Sequence, residues 1–167
     1  MTDATNPSAI LGSVRIRPAV HDDIGALTQL INSAFRVEQP FIDGDRVDSE
    51  KVRMYMTTGD FLLAEDSAGL AGCVYAEIRE DRGYAGLFSV DPRRQSRGLG
   101  RKLMDAVENF FREAGCCGVD LRVVSARTPL PSFYRHLGYL ETGTAPFQPG
   151  VKTKTPCHYI LMSKPLV

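Results

Sequence analysis

The sequence lacks any net charge, since twenty Lys and Arg balance twenty Asp and Glu across 167 residues. No global field therefore draws the chain to nucleic acid or to an anionic membrane, and any local concentration of one sign becomes informative. No apolar run approaches the roughly 18 residues that a membrane span needs. The opening "MTDATNPSAILGS" has an early acid and no long apolar stretch, unlike a secretory signal. It reads as a flexible leader over 1–12, ahead of one domain over 13–167. Cysteines stand at 73, 116, 117 and 157, with no C-x-x-C pair and no Cys/His ligand spacing. Structural zinc is thereby excluded, and buried reduced thiols in a cytoplasmic protein are expected. Internal repeats and low-complexity tracts are also missing.

What is present is a regular alternation of strand and helix patterns. "VRIRPA" (14–19) alternates like a half-buried strand, and Ile24, Leu27, Ile31 and Ala34 then share one helical face. Asp22 and Asp23 lie in that helix's first turn, where its dipole favours them. The polar loop "RVEQPFIDGDRVD" leads to a second helix over about 48–57. "DFLLAED", "LAGCVYAEIRE" and "YAGLFSV" are separated by turns so short that they predict an antiparallel meander. A long helix over about 97–114 follows, with Leu99, Leu103, Val107, Phe110 and Ala114 on its apolar face and Gly115 as its stop. "GVDLRVVS" is a further strand, "TPLPSFYRHLGY" holds a short helix, and "YLETGTA" and "CHYILMSKP" close the chain as a hairpin around 145–156. The order β-α-α-β-β-β-α-β-α-β-β defines a mixed α/β fold with a largely antiparallel sheet flanked by helices.

The local charge sits in "DPRRQSRGLGR" (91–101), which has four arginines and two glycines where the long helix begins. A helix mouth offers unpartnered N–H groups and partial positive charge, and glycine there lets a bulky anion approach the backbone. The bland reading is a solvated basic turn; the sharper one is a pyrophosphate seat. A P-loop is excluded, because G-x-x-x-x-G-K-[ST] is absent, and the third glycine of the dinucleotide fingerprint is missing.

In context, "LFSVDPRRQSRGLG" resembles the acetyl-coenzyme A motif (Q/R)-x-x-G-x-(G/A) of the Gcn5-related N-acetyltransferase (GNAT) superfamily, with Gln95, Gly98 and Gly100 in register. "PSFYRHLGY" resembles that family's late helix, and the likeness runs from about Val14 to Met162. The resemblance implies a GNAT-like fold and transfer of an acetyl group from acetyl-CoA to a primary amine by direct attack on the thioester. It implies that backbone amides of Gln95, Ser96, Arg97, Gly98, Leu99, Gly100 and Arg101 hold the pyrophosphate. Pantetheine would pair with Phe88, Ser89 and Val90 where the sheet splays, and an N–H there would face the thioester carbonyl. Tyr134 would be the general acid.

In some family members a glutamate precedes the phosphate loop as general base, and here that position is Tyr84. Glu38, Glu77 and Glu80 are alternatives, each reading as an ordinary solvated carboxylate, and a water chain is another. The family's acceptor site lies between the loop after the first helix and the late hairpin loop. The first loop brings Glu38, Phe41, Asp43, Asp45 and Asp48; the second brings Lys152, Lys154 and His158. Together they suggest a small, zwitterionic amine. The alternatives are a catalytically silent acyl-CoA binding or sensing module and a protein-directed N-acetyltransferase. Nucleic-acid binding through 93–102 is disfavoured, because no aromatics interleave with the basic run. The protein is expected to be a monomer or homodimer, with no metal.

Overall fold

A computed structural model describes residues 14–95 and 98–166. The leader expected at 1–12, and the proposed pyrophosphate contacts Ser96 and Arg97, lie outside the described residues. The elements are β1 (Arg15–Pro18), α1 (Ile24–Ala34), α2 (Ser49–Thr58), β2 (Asp60–Asp66), β3 (Gly69–Arg79), β4 (Arg82–Val90), α3 (Leu99–Glu113), β5 (Gly118–Val124), α4 (Pro129–His136), β6 (Leu140–Ala145) and β7 (Tyr159–Pro165). This is the order the sequence patterns predict. Short 3-10 turns at His21–Asp23, Phe35–Glu38 and Pro92–Arg94 add to it.

All strands join one seven-stranded sheet in the order β1-β2-β3-β4-β5-β7-β6, antiparallel except where β4 meets β5. Residues 60–90 form the meander, and successive β3 side chains point to opposite faces. Cys73 and Tyr75 meet the α1 side, with Leu27, Ile31, Val52 and Phe61. Val74 and Ala76 meet the α3 side, with Leu103, Val107 and Phe111. Both faces are covered, which is why β3 reads as an almost unbroken apolar run.

The apolar face of α3 turns out slightly rotated from the sequence reading. Phe111 is fully buried, whereas Phe110 is only partly so and Ala114 is exposed. Met104 at i+4 from Gly100 and Phe111 at i+4 from Val107 extend the buried stripe, so it follows the 3.6-residue period past the cap. The thiols also divide. Cys73 and Cys116 are buried, Cys157 is partly covered, and Cys117 is exposed, correcting the expectation of uniformly buried cysteines; all four are free. Burial without a charge partner pushes the Cys73 thiol up to about 12, so it stays protonated and inert.

Asp48 was a candidate for receiving a cationic amine. It instead caps α2, where its carboxylate accepts from the Lys51 amide at 2.8 Å.

Candidate active site where strands β4 and β5 part

The parallel pairing of β4 with β5 covers only Arg82–Gly118, Gly83–Val119 and Tyr84–Asp120. From Ala85 to Val90 the β4 edge that faces β5 has no strand partner, so the sheet opens as a wedge. A bulge sits at the opening: Val74 of β3 opposes both Leu87 and Phe88, and Leu87 takes φ 47°. Left-handed backbone at a leucine is uncommon and is characteristic of positions where a strand is bent to re-aim its side chains. The wedge opens into a cavity of about 950 Å³, lined by Phe88 and Val90 on β4, Leu121 and Val123 on β5, and Phe133 and Tyr134 on α4.

At one end of this cavity lies the mouth of α3. Gly98 caps the helix at φ 76°, with no side-chain cap, leaving the first-turn amides open. Among the described residues no atom would lie within 4 Å of a Cβ on Gly98, so the space above it has room for a ligand. Gly100 sits in tighter space: a Cβ there would stand 3.0 Å from Phe88 and 3.4 Å from Phe133, so those rings would have to give by a few tenths of an ångström. Gln95, Gly98, Leu99, Gly100 and Arg101 all line the cavity. These features fit a pyrophosphate at the helix mouth.

The arginines of this stretch do not act as one group. Arg93 pairs with Asp91 at 3.1 Å, and Arg94 pairs with Asp66 at 3.4 Å while donating to the Leu70 carbonyl at 2.9 Å. Those two anchor the turn, and Arg94, like Arg101, also lines the cavity. Ser89 is buried, and its hydroxyl donates to the Leu87 carbonyl at 2.9 Å, bracing the bulge.

At the other end, two loops meet. The segment after α1 and the β6–β7 loop form a bridge at Ile42 and Thr153. The Asp43 amide donates to the Lys152 carbonyl at 3.0 Å and the Lys154 amide to the Phe41 carbonyl at 2.8 Å. Glu38, Asp43, Asp45 and Lys152 line the cavity, but Phe41 and His158 are not among its lining residues. Phe41 serves through its backbone in the loop bridge. His158 exchanges backbone bonds with Ser125, at 2.8 Å through its carbonyl and 3.0 Å through its amide to the Ser125 hydroxyl.

Among the carboxylates suggested as a base, Glu77 pairs with Arg79, and Glu80 stands exposed in the β3–β4 turn at φ 57°. Neither lines the cavity. Glu38 is not the solvated carboxylate expected: it is 4% exposed and lies 3.7 Å from Arg127. Burial raises its pKa above the ordinary carboxylate value, against the opposing pull of Arg127 and Arg46. The signal was present in the sequence, since Glu38 continues the buried face of α1 four residues beyond Ala34. Tyr84 lines the same cavity, and burial holds its phenol above the usual value, so it is a neutral hydroxyl and no substitute for a carboxylate base.

Tyr134 is 6% exposed, with its ring against Phe88, Phe133 and Tyr139 at centroid distances of 6.3, 5.1 and 5.8 Å. Burial pushes its phenol well above the ordinary value, with Arg127 pulling the other way. Arg122 and Arg127 were not singled out in the sequence, yet both line the cavity. Arg127 also stacks over Phe35 at 5.7 Å. Among the described residues no group of His, Cys, Asp and Glu is arranged to hold a metal, and no helix is long and apolar enough to cross a membrane.

A carboxyl held above its unfolded pKa favours the fold most when protonated. Wild type should therefore gain stability relative to Glu38→Gln as pH falls through the raised pKa, and lose it as pH rises through the same window. Melting temperatures of both proteins from acid to neutral pH measure this. A difference that does not vary with pH, or one that favours wild type more at neutral pH, contradicts it.

A split sheet with an uncapped helix mouth at one end of the split and a buried carboxylate and phenol near the other has the shape to take a long phosphorylated ligand with a reactive end. Residues 24–139, more than half of the chain, match the acetyltransferase (GNAT) family, and the chain belongs to that family. A mycothiol acetyltransferase of Propionibacterium freudenreichii subsp. shermanii is 27% identical over 139 residues, which make up 77% of this chain but 45% of that relative. The chain thus spans less than half the length of that protein. Among solved structures, the Escherichia coli ribosomal-protein-S18-alanine N-acetyltransferase superposes with a TM-score of 0.75 at 18% identity, covering 92% of this chain and 94% of that one. YncA of Salmonella typhimurium, a putative acetyltransferase with its cofactor acetyl-CoA, superposes with a TM-score of 0.74 at 22% identity, covering 93% and 95%. These likenesses establish the GNAT fold.

Proposed function

We propose that the protein is an acetyl-CoA-dependent N-acetyltransferase that acetylates a primary amine of a small molecule by direct attack on the thioester. The observation that carries this reading is the single cavity joining the mouth of α3, the open β4 edge and the Glu38–Tyr134 end. Bound acetyl-CoA supplies the acyl thioester; everything else is done by the chain. Open amides at Gly98–Gly100, with Arg101, hold the pyrophosphate. The free edge of Phe88–Val90 pairs with the pantetheine arm, and an N–H there stabilises negative charge developing on the thioester oxygen, a type of contact worth about 10²–10³ in rate in acyl transfer.

Glu38 attracts the incoming ammonium and accepts its proton, directly or through water. The amine nitrogen then bonds to the acyl carbon as the carbon–sulfur bond breaks. The Tyr134 phenol, kept neutral by burial, donates its hydrogen bond to the departing sulfur. The ammonium gives up two protons: the first passes through Glu38 to solvent, and the second leaves the nitrogen as the carbon–nitrogen bond forms and balances the one taken up by sulfur. The products are thus an N-acetyl amide, the free thiol and one released proton.

The bridged loops favour a small acceptor, because they narrow the approach to the reacting end. A panel of small primary amines compared with peptides bearing free N-termini tests this. The small amines should give kcat/KM values at least about tenfold higher, since only they pass beneath the bridge without remodelling it. Peptides as the better acceptors would instead make the protein a protein-directed acetyltransferase.

A further inference from the structure

Resting on the reading above, we infer that the acceptor carries a carboxylate as well as its amine, and that Arg122 is the residue that reads it. The argument begins with β5, whose side chains alternate. Val119, Leu121 and Val123 enter the core on the α3 side, leaving Asp120 and Arg122 on the opposite face beside Tyr84 and Tyr159.

Each neighbouring carboxylate on this face already has a cation. Asp120 takes a two-pronged contact from Arg82 at 2.6 and 2.7 Å and a hydrogen bond from Ser163 at 2.5 Å. Glu77 is held by Arg79, and Glu38 faces Arg127 at 3.7 Å. Among the described residues Arg122 has no carboxylate within salt-bridge distance, although it lines the cavity and is only half exposed.

Arg122 is held in place without being neutralised. Its guanidinium lies 4.5 Å from the centre of the Tyr159 ring and 5.8 Å from that of Tyr84. With its amide oxygen turned toward the guanidinium, Gln148 of the β6–β7 loop accepts from Nη1 and Nη2 at 3.3 and 3.2 Å. Phe147 packs on Tyr159 at 4.5 Å and secures that loop. Aromatic rings orient a guanidinium without discharging it, so its planar fork stays available to a planar, doubly accepting anion.

Arg46, stacked over Phe35 at 5.4 Å, lines this end together with Lys51, Arg122, Arg127 and Lys152, so its cations outnumber the carboxylates Glu38, Asp43 and Asp45. An amine alone would meet net positive charge here. An amine with a carboxylate, such as a free amino acid, meets Glu38 with one group and Arg122 with the other. A peptide N-terminus, whose first carboxyl is an amide, lacks the second group.

The test compares the proteinogenic L-amino acids with their carboxamides and their decarboxylated amines, read as thiol release by wild type, Arg122→Gln and Arg122→Lys. For the preferred side chain, wild type should favour the free acid over its carboxamide by about 10- to 100-fold in kcat/KM, the range expected of a charge-assisted hydrogen-bonded pair. Arg122→Gln should erase that preference chiefly through the KM of the free acid, and Arg122→Lys should restore only part of it.

The wild-type comparison needs no variant to fold. If acid and carboxamide turn over within about threefold in wild type, or if Arg122→Gln depresses both alike, this inference falls while the small-amine reading stands. Thiol release with none of these amines would overturn both.

Discussion

Gly98→Glu abolishes acetyl-CoA binding, weakening it by at least about 100-fold in a calorimetric titration. Three effects act in the same direction. At φ 76° any side chain pays the left-handed strain, about 1–2 kcal/mol. The new Cβ enters space where no atom of the described residues lies within 4 Å, which is the space assigned to the phosphates. The carboxylate then accepts from the open first-turn amides, filling the anion seat with charge that repels the ligand. Gly98→Ala pays the strain but places only a methyl and no charge in that space, so it should retain much more of the affinity, which separates backbone strain from the bulk and charge of glutamate. Glutamate binding acetyl-CoA within about threefold of wild type would place the pyrophosphate away from this helix mouth.

Tyr134→Phe lowers kcat by about 10²-fold, the lower end of what a positioned proton donor contributes, with acetyl-CoA affinity nearly unchanged. The hydroxyl has no protein hydrogen-bond partner among the described residues, whereas the ring packs on Phe88, Phe133 and Tyr139. Removing the oxygen therefore leaves the packing intact, and the melting temperature should hold. Because burial raises the phenol's pKa, full transfer of its proton to a thiolate is uphill. Its contribution is a hydrogen bond that strengthens as negative charge gathers on sulfur. Steady-state kinetics with a saturating amine measure it, and a kcat within about threefold of wild type would make Tyr134 a core aromatic only.

Much of this arrangement was legible in the sequence because it rests on short-range rules. The period of Ile24, Leu27, Ile31 and Ala34 marks α1, the short turns fix the meander, and Gln95, Gly98 and Gly100 mark the helix mouth that opens into the cavity. What remained hidden was set by long-range packing. Nothing local distinguishes Arg94 and Arg101, which line the cavity, from Arg93, which is held at Asp91 and does not. The left-handed Leu87 arises from the β3–β4 register, which one residue of slip creates and no motif announces. His158 and Lys152 are equally plausible in the sequence, yet strand register sends His158 to Ser125 and the loop bridge brings Lys152 to the cavity. Glu38 reads as a surface residue from its charge, although its place on the α1 period marks it as inward-facing.

The central claim is acetyl transfer, and one measurement tests it most directly. Wild type is incubated with acetyl-CoA and a pool of free amino acids, other small primary amines and peptides with free N-termini, and the released thiol and the N-acetylated products are counted together, by absorbance and by mass. The account predicts thiol and N-acetyl product in equal amounts, both depending on the amine. Tight acetyl-CoA binding without any N-acetylated product, and with thiol release no faster than hydrolysis, would contradict it and leave a module that binds the thioester without using it.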